Sequence, residues 1–464
     1  MSDAAFPGLD QAVVTASLTE AGFPPDALDR YQRRLRDAER ALDDADVSRG
    51  NRRRWIIPGR IEVLGKHVDY AGGRSLLCTV ERGIVLVATP RADGRVVLRD
   101  TARGESTVVE LSPRGPSWQP APPWSIYPRT VVNRLTRNFG DCVRGADIAI
   151  ASSLPSAAGL SSSSALVVGL TLVLAAVSGL SHDDVWREHL SSRTALAGYV
   201  GAMENGLDFG ALTGERGVGT LGGAQDQTAI LSCAPRKLDV FAWAPVRHER
   251  AVMWPAGFAF VVAVSGVVAS KTGAARDRYN RVARTAHHLV HAWNAAGGSA
   301  RTLADAFREA AGGEPTGSVP EALLHVAETA GTPEFAAPRL VARLHQFFEE
   351  TWVHVPSAAD ALEAGDLDAF GAVVARSQMG AESALDNQTD ETVRLCLIAR
   401  ELGAVAASAF GAGFGGSVWA MVSDADAERF ASSWRDRYVT LFPEVAHRAQ
   451  VFTTHPSAPA FEAI

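Results

Sequence analysis

Three short segments of this chain combine chemically capable side chains with residues small enough to let a backbone come close. The first is Ser153-Leu154-Pro155-Ser156-Ala157-Ala158-Gly159-Leu160-Ser161-Ser162-Ser163-Ser164-Ala165, set between a strand-like run, Asp147–Ser152, and an apolar run, Ala165–Leu180. Small residues let successive N–H groups turn inward toward a polyanion. The helix expected next points its positive dipole end at the same place. Serine hydroxyls add hydrogen bonds or a magnesium ligand. No lysine closes the segment, so it is not the Gly-Lys-Ser/Thr nucleotide loop. A serine-rich linker is the alternative reading, but a linker does not run straight into an apolar helix.

The second segment is Pro58-Gly59-Arg60-Ile61-Glu62-Val63-Leu64-Gly65-Lys66-His67-Val68-Asp69-Tyr70-Ala71-Gly72-Gly73. Arg60, Glu62, Lys66, His67, Asp69 and Tyr70 are interleaved there with glycines, a grouping suited to orienting a hydroxyl-rich ligand. The third, Phe410-Gly411-Ala412-Gly413-Phe414-Gly415-Gly416-Ser417, is a glycine cluster that on its own reads equally well as a tight turn.

Elements must hold these segments. Leu28, Tyr31, Leu35, Ala38 and Leu42 recur at helical spacing between Pro25 and Val47, which predicts an amphipathic helix. Alternation in Ile84–Thr89 and Arg95–Arg99 predicts strands, with Asp93-Gly94 as a hairpin turn. Ser112–Pro128, rich in Pro and Trp, is expected to be a surface loop, with Trp124 and Tyr127 placed to cover a nucleotide base or to pack on their own domain. Beyond Pro245 the pattern restarts: a strand at Phe258–Val264, helices over Asp277–Asn294 and Leu340–Phe347, and apolar Val418–Val422 after the glycine cluster. Gly297–Pro320, rich in Gly, Ala and Pro, is expected to be a loop or insertion.

A chain of 464 residues suits two packed domains, here divided near 245. With 47% hydrophobic and 21% charged residues it is expected to fold throughout. A net charge of -7 argues against a nucleic-acid partner. Cys78, Cys142, Cys233 and Cys396 lack metal-like spacing and read as reduced, packed thiols. MSDAAFPGLD has neither a basic start nor an apolar core, and Ala165–Leu180 falls short of a membrane span, so a cytoplasmic enzyme with no membrane partner is expected. Only Lys66, Lys237 and Lys271 are lysines among 45 basic residues, so each invites a specific reason.

Together the three segments resemble the signature motifs of the GHMP small-molecule kinases. The second is similar to the galactokinase sugar motif, Pro-Gly-Arg-x-Asn-x-x-Gly-Glu-His-x-Asp-Tyr-x-Gly-Gly, matched at Pro58, Gly59, Arg60, Gly65, His67, Asp69, Tyr70, Gly72 and Gly73. Gly159–Ser163 matches the family's Gly-Leu-Ser-Ser-Ser, and Gly411–Gly416 its Gly-x-Gly-Phe-Gly-Gly. Gly222-Gly223-Ala224-Gln225-Asp226-Gln227 resembles the segment ending Met-Asp-Gln, with Gln225 in place of Met. Ala202–Asn205 resembles the Glu-Asn segment, although its interval to Asp226 is longer than usual, and Ser265–Tyr279 resembles the stretch ending in a sugar-contacting tyrosine.

The resemblance implies an α+β, two-domain GHMP kinase fold, with the active site between an N-terminal domain (1–245) and a C-terminal domain (246–464). It implies ATP and Mg2+, a sugar or cyclitol acceptor phosphorylated at the anomeric or equivalent hydroxyl, and a monomer or homodimer. ATP would lie on Gly159, Leu160, Ser161, Ser162, Ser163 and Ser164, with Ser163 and Glu204 holding the metal. Asp226 would be the catalytic base and Arg60 its charge partner, unless that pair is only a buried ion pair. Lys66, His67, Asp69, Gly223 and Tyr279 would contact the acceptor. A non-catalytic sugar sensor on the same scaffold is the rival reading, and the retained serine loop and Asp226 count against it.

Two positions depart from the pattern: Asn becomes Glu62, and the glutamate before His becomes Lys66. An ammonium would suit a carboxylate or phosphate at the C6 end of the acceptor and would deprive ordinary galactose of its acceptor group. Lys271, upstream of Tyr279, would add to that positive field. Alternatively Glu62 and Lys66, four apart on a strand face, simply pair, and the chain is an ordinary galactokinase.

Overall fold

The structure, a computed structural model, describes residues 11–111, 122–155, 158–267 and 273–463. Lys271 therefore lies outside the described residues, as do Ser156, Ala157 and most of the Ser112–Pro128 segment. Two long strands, β1 (Arg53–Leu64) and β2 (Arg74–Arg91), form the spine of the larger sheet. Both are buried along almost their whole length, which explains their near-continuous apolar runs. β3 (Arg95–Asp100), β4 (Glu105–Glu110) and β5 (Gly145–Ser152) follow in the chain, then β6 (Lys237–Ala242) and β7 (Arg247–Met253). A second sheet holds β8 (Phe258–Val264), β9 (Ala406–Phe410), β10 (Ser417–Ser423) and β11 (Gln450–Thr454), and β12 (Phe461–Ala463) closes the chain.

The larger sheet has the order β12-β1-β2-β5-β3-β4, with β6 on the other half of β2 and β7 beyond it. The smaller has the order β11-β8-β10-β9 and is antiparallel throughout. The chain thus returns from the second sheet to the first in its last strand, where Arg54 pairs Ala463. Two β-bulges interrupt the β1–β2 ladder, between Pro58 and Arg60 and between Glu62 and Leu64. Such bulges re-aim side chains beside functional sites, and Arg60 and Glu62 lie between these two.

The expected hairpin at Asp93-Gly94 is not one. β5 lies between β2 and β3, antiparallel to the first and parallel to the second. The connection passes over the start of β5, where Gly145 has no Cβ to collide with the Arg95 carbonyl. Alternation reports which face a residue occupies, not which strand is its neighbour.

The helix Ser162–Ser178 lies against β1 and β2, with Gly169 close to Ile57. The amphipathic helix Pro25–Asp43 covers the other face, burying Tyr31, Leu35 and Leu42 against Ile56 and Val85. Helices Gly273–Ala295 and Ala337–Phe348 extend the runs expected near them. Gly297–Pro320 is not merely a loop, because it contains the helix Leu303–Ala311. Thr302 and Asp305 make a capping box there, while Leu303 and Phe307 enter a core with Phe347. Thr-x-x-Asp was the signal that its Gly and Ala content obscured. The surface-loop expectation also ends early, since Trp124 is buried in a short turn and a helix starts at Ile126. Cys78, Cys233 and Cys396 are buried, but Cys142 is exposed rather than packed. Among the described residues no helix is long and apolar enough to cross a membrane.

Candidate active site

A cavity of about 410 Å³ opens where β1, the serine loop and the glycine cluster meet. It brings together Arg60, Asp226, Glu204, His67, Asp69 and Tyr279, which lie far apart in the chain. Its walls also include Gly159, Ser161, Ser162, Ser163 and Ser164, and at the other end Trp124 and Tyr127.

The serine loop is shaped by two left-handed residues, Gly159 at φ +76° and Ser161 at φ +58°. Ser161 immediately precedes the helix, so the first N–H groups of that helix have no carbonyl in front of them. Such an N-terminus favours anions. The loop rests on the glycine cluster. A side chain on Gly159 would meet the Phe410 carbonyl at 3.2 Å, and Ser417 Oγ donates to the Ala158 carbonyl at 2.5 Å. The third motif therefore supports the first from the second sheet.

Arg60 reaches Asp226 Oδ1 with Nε at 2.8 Å and Nη2 at 2.7 Å, while Nη1 donates to the Gly159 carbonyl at 2.5 Å. Ser164 Oγ lies 2.9 Å from Glu204 Oε2 and 3.3 Å from Asp226 Oδ2. Gln227 Nε2 also donates to Glu204 Oε2, at 2.6 Å. One guanidinium thus ties Asp226 to the loop, and one serine hydroxyl lies within reach of both carboxylates. Ser163, expected beside Glu204, lines the same cavity one residue before the serine that bonds to it.

At the other flank His67 stands at φ +57°, between Tyr70 Oη at 3.2 Å from Nδ1 and the Ala412 carbonyl at 3.1 Å from Nε2. Burial pushes its pKa down to about 4, so the ring is neutral and Nε2 carries the proton donated to Ala412. Asp69 Oδ2 accepts from the backbone N–H of Gly223 at 3.1 Å and of Gln225 at 3.3 Å. Burial, with Asp226 nearby, holds the Asp69 carboxyl above the usual range. Gly223 is required by that contact, because a Cβ would stand 2.5 Å from Asp69 Oδ2.

Lys66 is not in the cavity. β1 ends at Leu64, and Gly65 turns the chain at φ +96°, so the period-two argument does not reach position 66. The Lys66 ammonium is buried against Ser377, with Nζ 3.3 Å from Oγ, and Ser377 donates to Glu350. Glu350 also accepts from the Gly65 N–H at 2.8 Å. No ion pair joins Lys66 to Glu62 among the described residues. Neither substrate contact nor local pairing describes Lys66: its charge is matched across the chain, by a carboxylate that no local signal connects to it.

Glu62 lines the cavity, whereas sequence reasoning grouped it with the ligand-orienting residues of its segment and assigned it no acceptor contact of its own. Gln225 donates to its Oε2. The paired departures at 62 and 225 were the signal that could have found it.

Three family descriptions match the chain: the GHMP kinases N terminal domain at residues 127–232, the GHMP kinases C terminal domain at 358–440, and the galactokinase galactose-binding signature at 51–90. A galactokinase from Streptomyces coelicolor is 36% identical over 124 residues, 26% of this chain and 30% of that enzyme. One from Halalkalibacterium halodurans is 30% identical over 176 residues, 38% of this chain and 39% of that enzyme. These alignments therefore span well under half the length of the relatives. The structure of Lactococcus lactis galactokinase complexed with galactose superposes over 91% of this chain and 98% of its own, with a TM-score of 0.71 at 19% identity. Methanococcus jannaschii mevalonate kinase follows the same course with a TM-score of 0.51 at 13% identity. These likenesses show a two-domain α+β kinase fold.

Proposed function

We propose that the chain, which matches the GHMP kinases N terminal domain, the GHMP kinases C terminal description and the galactokinase galactose-binding signature, is a galactokinase-like enzyme that moves the γ-phosphoryl group of ATP to a hydroxyl of a neutral hexose. The observation that carries this reading is the single cavity holding the serine loop, the Arg60–Asp226 pair and the Asp69–Tyr279 wall together. A polyanion against the helix N-terminus and a hydroxyl against Asp226 would then meet in one space.

In the transfer, the acceptor oxygen forms a bond to the γ-phosphorus as the bridging oxygen leaves with ADP. The acceptor proton passes to the Asp226 carboxylate, or is oriented by it. Arg60 holds that carboxylate in place and carries charge that offsets the negative charge developing on the phosphoryl group. The backbone-held Asp69 offers a carboxylate to sugar hydroxyls, while His67, its ring nitrogens engaged by Tyr70 and Ala412, fixes the wall beside it. Magnesium, implied by the fold family, fits the hard-oxygen donors Ser163 and Glu204 and would neutralise phosphate charge when bound. The anomeric hydroxyl is the proposed target by resemblance alone.

The acidic acceptor suggested by Lys66 has no support from a lysine buried on Ser377. The ordinary neutral sugar is therefore the reading adopted. The division into 1–245 and 246–464 is retained as a proposal, supported by the separate second sheet, although β7 and β12 of the first sheet lie past 245.

The test is ATP turnover with galactose, galacturonate, sugar phosphates and cyclitols, with the product position read by phosphorus NMR. Turnover of galactose that falls about 10²- to 10⁴-fold in Asp226→Asn supports the reading. Turnover of a charged acceptor alone, or of none, refutes it.

A further inference from the structure

We propose that Glu62 is a specificity-determining residue whose carboxylate takes a hydrogen bond from a hydroxyl of the acceptor, so that the site's acceptor group has moved from position 66 to position 62. This inference rests on the sugar-kinase reading above and deepens it.

Three positions depart from the family pattern, Glu62, Lys66 and Gln225. In the fold Glu62 and Gln225 are one rearrangement, and Lys66 stands apart from it on Ser377. Trp243 Nε1 donates to Ser75 Oγ at 3.0 Å, and Ser75 Oγ donates to Gln225 Oε1 at 2.7 Å. Ser75 Oγ, which also lies 3.3 Å from the Gly65 carbonyl, thus receives the Gln225 amide oxygen, and the amide NH2 faces Glu62, where Nε2 donates to Oε2. One carboxylate oxygen is thereby held. The other, Oε1, is buried and has no hydrogen-bond partner among the described residues. Glu62 is 2% exposed and lines the cavity beside Arg60 and Asp69.

A buried carboxylate oxygen left without a donor is costly. Lys66 supplies it no hydrogen bond, because its ammonium donates to Ser377, which donates in turn to Glu350. A ligand hydroxyl in the cavity would supply the missing donor. An anionic group there would meet Glu62 and Asp69, so the arrangement selects for uncharged, hydroxyl-bearing acceptors and against uronates or sugar phosphates.

The isosteric variant Glu62→Gln makes a clean probe. Its amide oxygen must face the fixed Gln225 NH2, which turns its own NH2, a donor only, toward the cavity. The experiment measures galactose binding by calorimetry, without turnover, for the full chain and for Glu62→Gln and Glu62→Asn. The ligands are galactose, its monodeoxy analogues and galacturonate.

The expected result is a loss of about 10- to 100-fold in galactose affinity for Glu62→Gln. One deoxy analogue should lose a similar factor with the wild type and lose no more with the variant. Equal galactose affinity in wild type and variants overturns the inference. So does a loss that is additive for every analogue, or wild-type binding of galacturonate but not galactose, or binding of no sugar. Binding that follows the expected pattern without any phosphoryl transfer from ATP would sink the kinase reading and leave the Glu62 assignment standing. Should Glu62→Gln fail to fold by circular dichroism, the same comparison is read from Glu62→Asn, which has the residue type of the family pattern.

Discussion

Arg60 meets Asp226 Oδ1 with two of its nitrogens, at 2.8 and 2.7 Å, and spends the third on the carbonyl of Gly159, 2.5 Å away. One side chain from β1 therefore sets both the carboxylate expected to handle the acceptor proton and the loop expected to hold the phosphates. The contacts join residues 166 and 99 positions apart.

Lysine should not replace this arginine. Lys has one point charge where Arg has a planar fork, so Arg60→Lys is expected to keep the fold but lower kcat and raise the KM for ATP together. Arg60→Met removes the charge and leaves Asp226 without its partner, at a cost of roughly 3–5 kcal/mol if the pair behaves as buried. Urea unfolding of the two variants checks the second expectation and steady-state kinetics the first. Unchanged ATP KM in Arg60→Lys would mean that the Gly159 contact does not set the loop.

Glu62 gives the protein a pH signature. Burial lifts its pKa from 4.5 to about 7, opposed by the charges of Lys66 and Arg60 and by the Gln225 hydrogen bond, while Glu350 adds to the rise. The folded state then holds a proton that the unfolded chain releases, so stability falls as pH climbs from about 4.5 to about 7 and levels off above. Glu62→Gln should remove that slope, with the difference from wild type reaching on the order of 3 kcal/mol above neutrality. Sugar affinity should rise through the same window, as the carboxylate ionises. His67, pushed down to about 4, is already neutral there. Denaturant midpoints at pH 5 and 8 decide the matter, and parallel curves for wild type and variant would refute it.

A second titration has the opposite origin. His455 sits between Glu81 at 3.3 Å and Asp424 at 3.0 Å, and these carboxylates raise its pKa to about 9, the Glu81 bond contributing most. The link joins β2 to the residue just after β10, hence one sheet to the other. Its stabilisation is fully present below the unfolded value of 6.5 and is lost as pH rises through about 9. Thermal midpoints between pH 6.5 and 9.5 should fall for the wild type more than for His455→Gln. Equal slopes would show that the imidazolium adds nothing.

The capping box at Thr302 offers a test away from the site. Thr302→Ala should cost about 1 kcal/mol, with no change in the KM of either substrate. A loss of activity at unchanged stability would instead tie Leu303–Ala311 to the cavity. That is a live contrast, because a Cβ on Gly72 in the sugar motif would stand 2.7 Å from Thr302 Oγ1.

The sequence by itself determined much of this protein. The apolar run after Ser164 read as a buried helix with serines at its N-terminus, because both follow from neighbours along the chain. The same holds for the strand Phe258–Val264, read to the residue from a short apolar run. Residues such as Arg60, His67, Asp69 and Asp226 were legible because each stands in a short segment that resembles a family motif. Partners remote in sequence were not. Lys66 looked like a pocket residue until Gly65 turned it toward Ser377 and Glu350, some 300 positions away. The hairpin at Asp93-Gly94 failed for the same reason, since β5 enters the sheet from a later stretch of chain. Local sequence sets periodicity and turn chemistry. Which buried charge answers which is decided only when the desolvation of each must be offset by whatever the fold brings beside it.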